Sequence, residues 1–394
     1  MRPSLIVHCD WSMHGSKRWC AKATRIEEDS YQACAPEPVG RLETFFPRLL
    51  EQAPTGPILV GFDFPIGIPR AYAERAGIIN FPSMLSRFGN AEWRDFYDRA
   101  ERPAKISLRR PFYPKQQHNV KKQDLVDGLG LSSAEELLRA CERATQARGK
   151  ACEIFWTLGG NQVGCAATTG WRDLLAPAMC IREISIWPFD GELSELLDSR
   201  RLIIAETYPG EIYSHLGIPR NFGKTEQPRR MVQANAVFSW CENNDVLLDH
   251  GLRWDIRDGF GNLGTGEDRF DAVVGLLGMI EAVREPSLFP VPKDSAVRNV
   301  EGWILGMKAS PQPAYRHVRD SSTGTSSHHP ESYSTKAKNV SSPPTGHEQL
   351  CPACKQKLFT RWPFGWDAHA AHRCAGLPMG SPEERKRIFR ERYL

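Results

Sequence analysis

Three short apolar runs, each followed directly by an acidic residue, constrain the fold of this chain more than any other feature. The runs are LIVHC before Asp10, ILVGF before Asp63 and LIIA before Glu206. Continuous apolar runs of this length are typical of strands that are buried on both faces. Because functional groups in α/β sheets gather at the carboxyl ends of strands, the three acidic side chains are candidates for one shared site.

The remaining periodic segments predict an α/β domain over residues 1–308. Alternating or apolar segments predict further strands at 18–26, 31–34 and 182–187. Helical spacing or a capping sequence predicts helices at 41–51, 132–146 and 266–283, the first with Pro47 inside it. Neighbouring strands near the start, followed by alternating strands and helices, indicate a mixed sheet flanked by helices.

The composition changes abruptly at residue 309. Residues 309–348 are rich in Ser, Thr, Pro and Gly and nearly free of aliphatic side chains. Such a segment buries too little apolar surface to offset the entropy of ordering it, so we interpret it as a flexible linker. It joins the domain at 1–308 to a small terminal module at 349–394.

The terminal module has the spacing of a zinc finger. Cys351 and Cys354 form a CPAC pair, His369 follows, and the fourth ligand is either Cys374 or His372. The module is too short to fold on an apolar core alone, so we expect bound Zn²⁺ to supply its folding free energy. The segment at 381–394 begins with SPEE and is rich in Lys and Arg, which predicts a basic terminal helix.

A second group of acidic residues lies on the helix predicted at 266–283. Asp268 and Asp271 are three positions apart and therefore project from one helical face. Carboxylates brought together repel one another, and a divalent cation such as Mg²⁺ or Mn²⁺ removes that penalty. A single acidic residue after a strand is more often a helix cap or a turn residue. The joint occurrence with Asp10 and Asp63 favours a metal site.

Four motifs resemble the DUF429 family, a set of predicted nucleases with a ribonuclease H-like fold. They are HCDWS, GFDFPIGIP, AETYPGEIYSHLG and GEDRFDAVVGLLG, in this order between residues 4 and 283. The resemblance implies that Asp10, Asp63, Asp268 and Asp271 hold the catalytic cation, with Glu206 as an additional ligand or base. The placement of Lys224 also fits the family and implies a role in orienting phosphate or water.

Residues 102–122 form a basic segment without an acidic residue. Basic side chains neutralise phosphates, and the interleaved Phe112 and Tyr113 offer stacking surfaces to bases. A solvated loop is the alternative interpretation. The candidate nucleic-acid-binding residues are Lys105, Arg109, Arg110, Lys115, Lys121 and Lys122.

These features together predict a metal-dependent nuclease that acts on DNA or RNA and carries a zinc finger for a substrate or a protein partner. The alternatives are a non-catalytic nucleic-acid or protein-binding adaptor and a nucleotide hydrolase on the same fold. A net charge of +4 does not by itself indicate nucleic acid. The chain lacks a long apolar run and a recognisable signal peptide, so we expect no membrane association and a cytoplasmic location.

Overall fold

The computed structural model describes residues 1–115, 120–145, 148–158 and 163–308, together with the strands Glu348–Leu350 and Lys357–Phe359. The chain divides into two units, Met1–Arg316 and His317–Leu394. In the second unit the two described strands pair antiparallel. All of the predicted linker except Glu348 lies outside the residues that the structure describes, as do the five candidate zinc ligands and the predicted terminal helix.

Eight strands form one mixed sheet in the first unit. They are β1 (Leu5–Asp10), β2 (Trp19–Arg25), β3 (Tyr31–Ala33), β4 (Glu37–Pro38), β5 (Ile58–Phe62), β6 (Ile184–Ile186), β7 (Leu202–Glu206) and β8 (Val246–Leu248). The order across the sheet is β6-β7-β5-β1-β2-β3-β8, and β4 pairs with β2. Strands β1, β2 and β3 form an antiparallel meander, whereas β1, β5, β7 and β6 run parallel.

The parallel register brings the predicted acidic residues to one edge of the sheet. Cys9 on β1 pairs with Phe62 on β5, and Phe62 pairs with Glu206 on β7. Asp10 and Asp63 are the next residues along their chains. The three strands therefore end at the same level, as the apolar runs predicted.

Twelve α-helices accompany the strands in the part of the chain that the structure describes. They are α1 (Phe45–Gln52), α2 (Arg70–Ala76), α3 (Phe81–Leu85), α4 (Lys122–Leu129), α5 (Val163–Gly170), α6 (Ala176–Ala178), α7 (Leu193–Ser199), α8 (Pro209–Ile212), α9 (Gln227–Val232), α10 (Ala234–Asn243), α11 (His250–Arg257) and α12 (Gly266–Arg284). None of these helices is both long enough and apolar enough to cross a membrane.

Apolar side chains pack on both faces of the sheet. Leu5, Val7 and Cys9 of β1 belong to one buried cluster, while Ile6 between them belongs to the other, as the two-residue repeat of a strand requires. Helix α12 lies against β1 and β2. Its approach is so close that a Cβ atom on Gly275 would lie 2.1 Å from Nε2 of His8. Glycine at this position therefore sets the distance between helix and strand.

The predicted mixed α/β sheet is confirmed, and one predicted helix is wrong. Pro47 is tolerated inside α1 because it lies in the first turn, where no amide hydrogen bond is lost. Residues 132–146 were expected to form a helix, but the described part contains only the short 3₁₀ turns Ala134–Leu137 and Ala140–Glu142. Leu138 between them is extended. The buried side chains of Arg139 and Glu142 in this segment belong to an ion-pair network.

The network is centred on Arg139, whose side chain is fully buried. Its guanidinium donates hydrogen bonds to both carboxylate oxygens of Glu206, at 2.6 and 2.7 Å, and to Glu142 at 2.8 Å. It also donates to the backbone carbonyl of Glu301 at 2.9 Å. Because buried charges are tolerated only when they are paired, this residue fixes β7 to two chain segments that are distant in sequence.

Replacing Arg139 with Met should lower the free energy of unfolding by about 3–5 kcal/mol, because Glu206 and Glu142 would stay buried without a cationic partner. Urea denaturation at pH 7 measures the change. The double variant R139M/E206Q should recover part of the loss, since one of the stranded charges is then removed. If the double variant is as unstable as the single one, the ion pair with Glu206 is not the source of the stability.

Candidate functional site

A cavity of about 910 Å³ lies at the carboxyl ends of β1 and β5 and is lined by the four predicted aspartates. Asp10 is the last residue of β1, and Asp63 follows β5 directly. Asp268 and Asp271 come from the first turns of α12, which rests on β1. The structure thus brings together acidic residues from the beginning and the end of the domain sequence.

Asp10 and Asp63 both line the cavity, and their charges interact. Burial raises the pKa of Asp10 well above its usual value, and the neighbouring charges of Asp63 and Asp271 raise it further. Burial also raises the pKa of Asp63 to about 7, although its Oδ1 accepts a hydrogen bond of 2.6 Å from the Trp11 amide. Burial and the repulsion between the two groups therefore disfavour the state in which both carboxyl groups are charged.

The surroundings of Asp268 also disfavour its charged form. Burial raises its pKa to about 6, and the charges of Glu267 and Asp271 add to the effect, while Lys17 opposes it. Its Oδ2 atom is buried and has no hydrogen-bond partner among the described residues. A buried carboxylate oxygen without a donor is an available ligand for a cation.

Asp271 is held by two donors. The Tyr213 hydroxyl donates to one of its oxygens, and the Lys224 ammonium donates to the other at 2.5 Å. Lys224 also contacts Glu267 at 3.0 Å. Although burial disfavours the ammonium, Asp271 and Glu267 raise the pKa of Lys224 above its usual value. The predicted lysine therefore lies in the acidic site and carries its charge there.

Glu206 requires a correction. It was expected to be an additional metal ligand or base, but its Oε1 and Oε2 atoms both accept hydrogen bonds from Arg139. The Ile66 amide donates to Oε2 as well, at 2.6 Å. Both Glu206 oxygens are thus hydrogen-bonded to a buried arginine that also pairs with Glu142, which argues against the predicted role of Glu206 as a metal ligand or base.

The basic segment at 102–122 also requires a correction. It was expected to bind nucleic acid, yet none of its described residues lines the acidic cavity. Arg110 pairs with Asp98 at 3.2 Å and Lys115 pairs with Glu101 at 3.0 Å. Lys122 pairs with Glu153 at 2.5 Å. Acidic residues outside the segment thus neutralise much of the charge that made it look like a phosphate-binding loop.

Other segments supply the basic side chains that line the cavity. Lys17 follows β1, Lys150 precedes the turn at 154–155, and Arg220 precedes Lys224. Lys17 and Arg220 are exposed, and in the described part of the chain their side chains have no ion pair or hydrogen bond. No sequence pattern marks them, because each is an isolated basic residue in a different loop.

The donor chemistry of the cavity fits a hard divalent cation. All four aspartates offer oxygen ligands, which Mg²⁺ and Mn²⁺ prefer, and Oδ2 of Asp268 is unpartnered within the described residues. Within the described ranges, however, no three His, Cys, Asp or Glu side chains are arranged to hold a metal ion. Instead, Tyr213 and Lys224 donate hydrogen bonds to the two carboxylate oxygens of Asp271. The magnesium or manganese site therefore stays a prediction.

Comparison of the chain with models of protein families, with curated proteins and with solved structures gave no match. The function must therefore be inferred from the chemistry of the cavity and from the positions of its side chains. Fold alone would not define an activity, since one architecture serves many reactions.

The variant Asp63→Asn should change how stability depends on pH. Because the pKa of Asp63 is raised from 3.8 to about 7, the folded state binds more protons than the unfolded state between these values, and stability falls as pH rises through this window. The asparagine keeps an acceptor for the Trp11 amide but carries no charge. In EDTA we expect the variant to gain about 2 kcal/mol over wild type between pH 5 and pH 8.

Urea titrations at the two pH values measure this gain. Asp127→Asn, at an exposed position on α4, is the matched control and should leave the pH dependence unchanged. If the free energy of unfolding depends on pH in the same way in wild type and in Asp63→Asn, the pKa of Asp63 is not raised in the folded protein.

Proposed function

We propose that this chain is a metal-dependent nuclease that hydrolyses phosphodiester bonds on a ribonuclease H-like fold. The observation that carries the proposal is the meeting of Asp10, Asp63 and the Asp268–Asp271 pair at one cavity. Burial, together with repulsion among these groups, raises the pKa values of three of them. A site that gathers anions at such a cost is typical of cation binding.

The order of the strands supports the fold part of the proposal. An antiparallel meander of β1, β2 and β3 is followed by β5, parallel to β1, and the long helix α12 packs on β1. The resemblance to the DUF429 family implies carboxylates on the first strand, on the fourth strand and on the last helix. The positions of Asp10 and Asp271 agree with that implication, and Asp63 follows β5, which is the fourth strand only if the two-residue β4 is not counted.

The side chains of the cavity have distinct roles in this proposal. Asp10, Asp63, Asp268 and Asp271 would hold Mg²⁺ or Mn²⁺, and such an ion, when bound, activates water and stabilises the leaving oxygen. The Trp11 amide orients Asp63 through its hydrogen bond to Oδ1. Tyr213 orients Asp271 in the same way. These donors hold the carboxylates in place before substrate binds.

We also propose that phosphates of the substrate contact Lys17 and Arg220 rather than the segment at 102–122. Both residues line the cavity, and in the described part of the chain neither forms an ion pair within 4.0 Å. The zinc finger predicted at 349–394 would then bring nucleic acid or a protein partner to the domain. Its proposed ligands are Cys351, Cys354, His369 and either Cys374 or His372.

A nucleotide hydrolase is the second candidate. The cavity of about 910 Å³ lies within the range of small-molecule sites, so a single nucleotide is an alternative occupant. Release of phosphate from ATP without cleavage of any strand would favour this activity over a nuclease.

Asp10→Asn and Asp271→Asn should each lower the rate of divalent-dependent strand cleavage by at least about a thousandfold, because each removes an anionic ligand while keeping the side-chain shape. Initial rates on fluorescein-labelled single-stranded DNA, duplex DNA and RNA, with Mg²⁺ or Mn²⁺ and with EDTA, measure the loss. Glu285→Gln, at the exposed end of α12, is the control and should cut normally. Cleavage at the wild-type rate by both aspartate variants would end the nuclease assignment.

Lys17→Gln and Arg220→Gln should each weaken the binding of a labelled oligonucleotide by about three- to tenfold and reduce the salt dependence by about one unit of slope. Fluorescence anisotropy in EDTA, without cleavage, gives both quantities. Arg109→Gln is the control because Arg109 stacks on Trp93, with its guanidinium carbon 3.6 Å from the ring centre. If Arg109→Gln weakens oligonucleotide binding more than the two cavity variants do, the phosphate contacts lie in the segment at 102–122 instead.

A further inference from the structure

Lys224 places a positively charged group among the carboxylates that line the cavity. Its ammonium lies 2.5 Å from Oδ2 of Asp271 and 3.0 Å from Oε1 of Glu267. The side chain is 37% exposed, whereas that of Asp271 is 7% exposed. A partly exposed ammonium thus contacts a mostly buried carboxylate.

The backbone at Lys224 is fixed independently of its side chain. The buried guanidinium of Arg230 donates to the carbonyl of Lys224 and also to the carbonyls of Gly259 and Gly261, the latter two at 2.8 and 2.7 Å. These bonds hold the loop of Lys224 against the chain that leads into α12. The four-carbon side chain can therefore move while its attachment point stays in place.

The Lys224 ammonium donates to Oδ2 of Asp271, an atom that the proposed cation would need as a ligand. Tyr213 already donates to one oxygen of Asp271, so the contact with Lys224 leaves that carboxylate without a free, uncompensated oxygen. Asp10, Asp63 and Asp268 lie in the same cavity and interact electrostatically with Lys224. A cation bound by these groups would compete with the lysine for the same negative charge.

We propose that Lys224 is an exchangeable internal counter-cation. Its ammonium neutralises Asp271 and Glu267 when no divalent ion is bound, and a divalent ion binds by displacing it. This inference rests on the proposed function and deepens it, because it assigns to one side chain the regulation of metal affinity at the same site.

The consequence is a measurable competition. Removing the ammonium while keeping a similar side-chain length, as in Lys224→Gln, should tighten the binding of Mn²⁺ by about tenfold, because displacement of a bound ammonium is no longer required. Lys150→Gln is the matched control, since Lys150 lines the same cavity but pairs with Glu153 at 3.5 Å. It should change Mn²⁺ affinity by less than about threefold through long-range charge alone.

Titration of the full-length protein with Mn²⁺ alone, followed by electron paramagnetic resonance of the free ion, measures the affinities. Tighter binding by Lys224→Gln than by Lys150→Gln supports the inference. Unchanged or weaker binding by Lys224→Gln, with wild type binding Mn²⁺ through Asp10, overturns the inference and leaves the nuclease proposal standing. Absence of Mn²⁺ binding at this site in wild type and in the variant overturns both.

A second measurement uses no metal at first. In EDTA at pH 8, Lys224→Gln should be less stable than wild type in urea, because Asp271 and Glu267 lose their compensating charge. Added Mn²⁺ should restore more stability to Lys224→Gln than to wild type, since only the variant gains a cation without losing one. Equal stability of the two proteins in EDTA would show that the lysine does not neutralise the site.

Discussion

The contact between α12 and β1 is the constraint on which the candidate site depends. From Phe270 onward almost every residue of α12 is buried, so the helix has little freedom to rotate or slide on the sheet. Gly275 allows the backbone of the helix to reach His8, and Nδ1 of His8 lies 3.0 Å from the Ala272 carbonyl. This packing fixes the first turns of α12 above the end of β1, which places Asp271 beside Asp10.

Gathering carboxylates at that point costs stability, and the structure offsets the cost in two ways. Burial raises the pKa values of Asp10 and Asp63, so these groups hold their protons to higher pH than exposed aspartates do. Asp271 instead is matched by Tyr213 and the ammonium of Lys224. Proton retention and internal ion pairing both lower the net charge of the cavity, and a divalent cation would replace both. A site held in this way is expected to sacrifice stability for activity.

The sequence predicts the parts of this arrangement that follow from local patterns. Apolar runs locate β1, β5 and β7, and because the carboxyl ends of parallel strands align, they predict a shared site for Asp10 and Asp63, whereas the pairing of β1 with β5 is seen only in the structure. Long-range pairing does not follow in this way. The 132–146 segment has the composition of a helix, yet its Arg139 is drawn inward by Glu206, 67 positions away. Likewise, Asp98 and Glu153 pair with Arg110 and Lys122 of a segment that contains no acidic residue of its own.

Asp63 and Glu206 show why a strand-end carboxylate cannot be assigned a role from its position alone. Both lie at the ends of neighbouring parallel strands, and the residue before Asp63 pairs directly with Glu206. Glu206 accepts a bidentate contact from a buried arginine, so a cation lies directly against its negative charge. Asp63 accepts a hydrogen bond from a neutral amide instead, and burial raises its pKa to about 7 although that hydrogen bond opposes the rise. The difference lies in the donor that the rest of the fold supplies, and it separates a carboxylate that stabilises the domain from one that remains available to bind a cation.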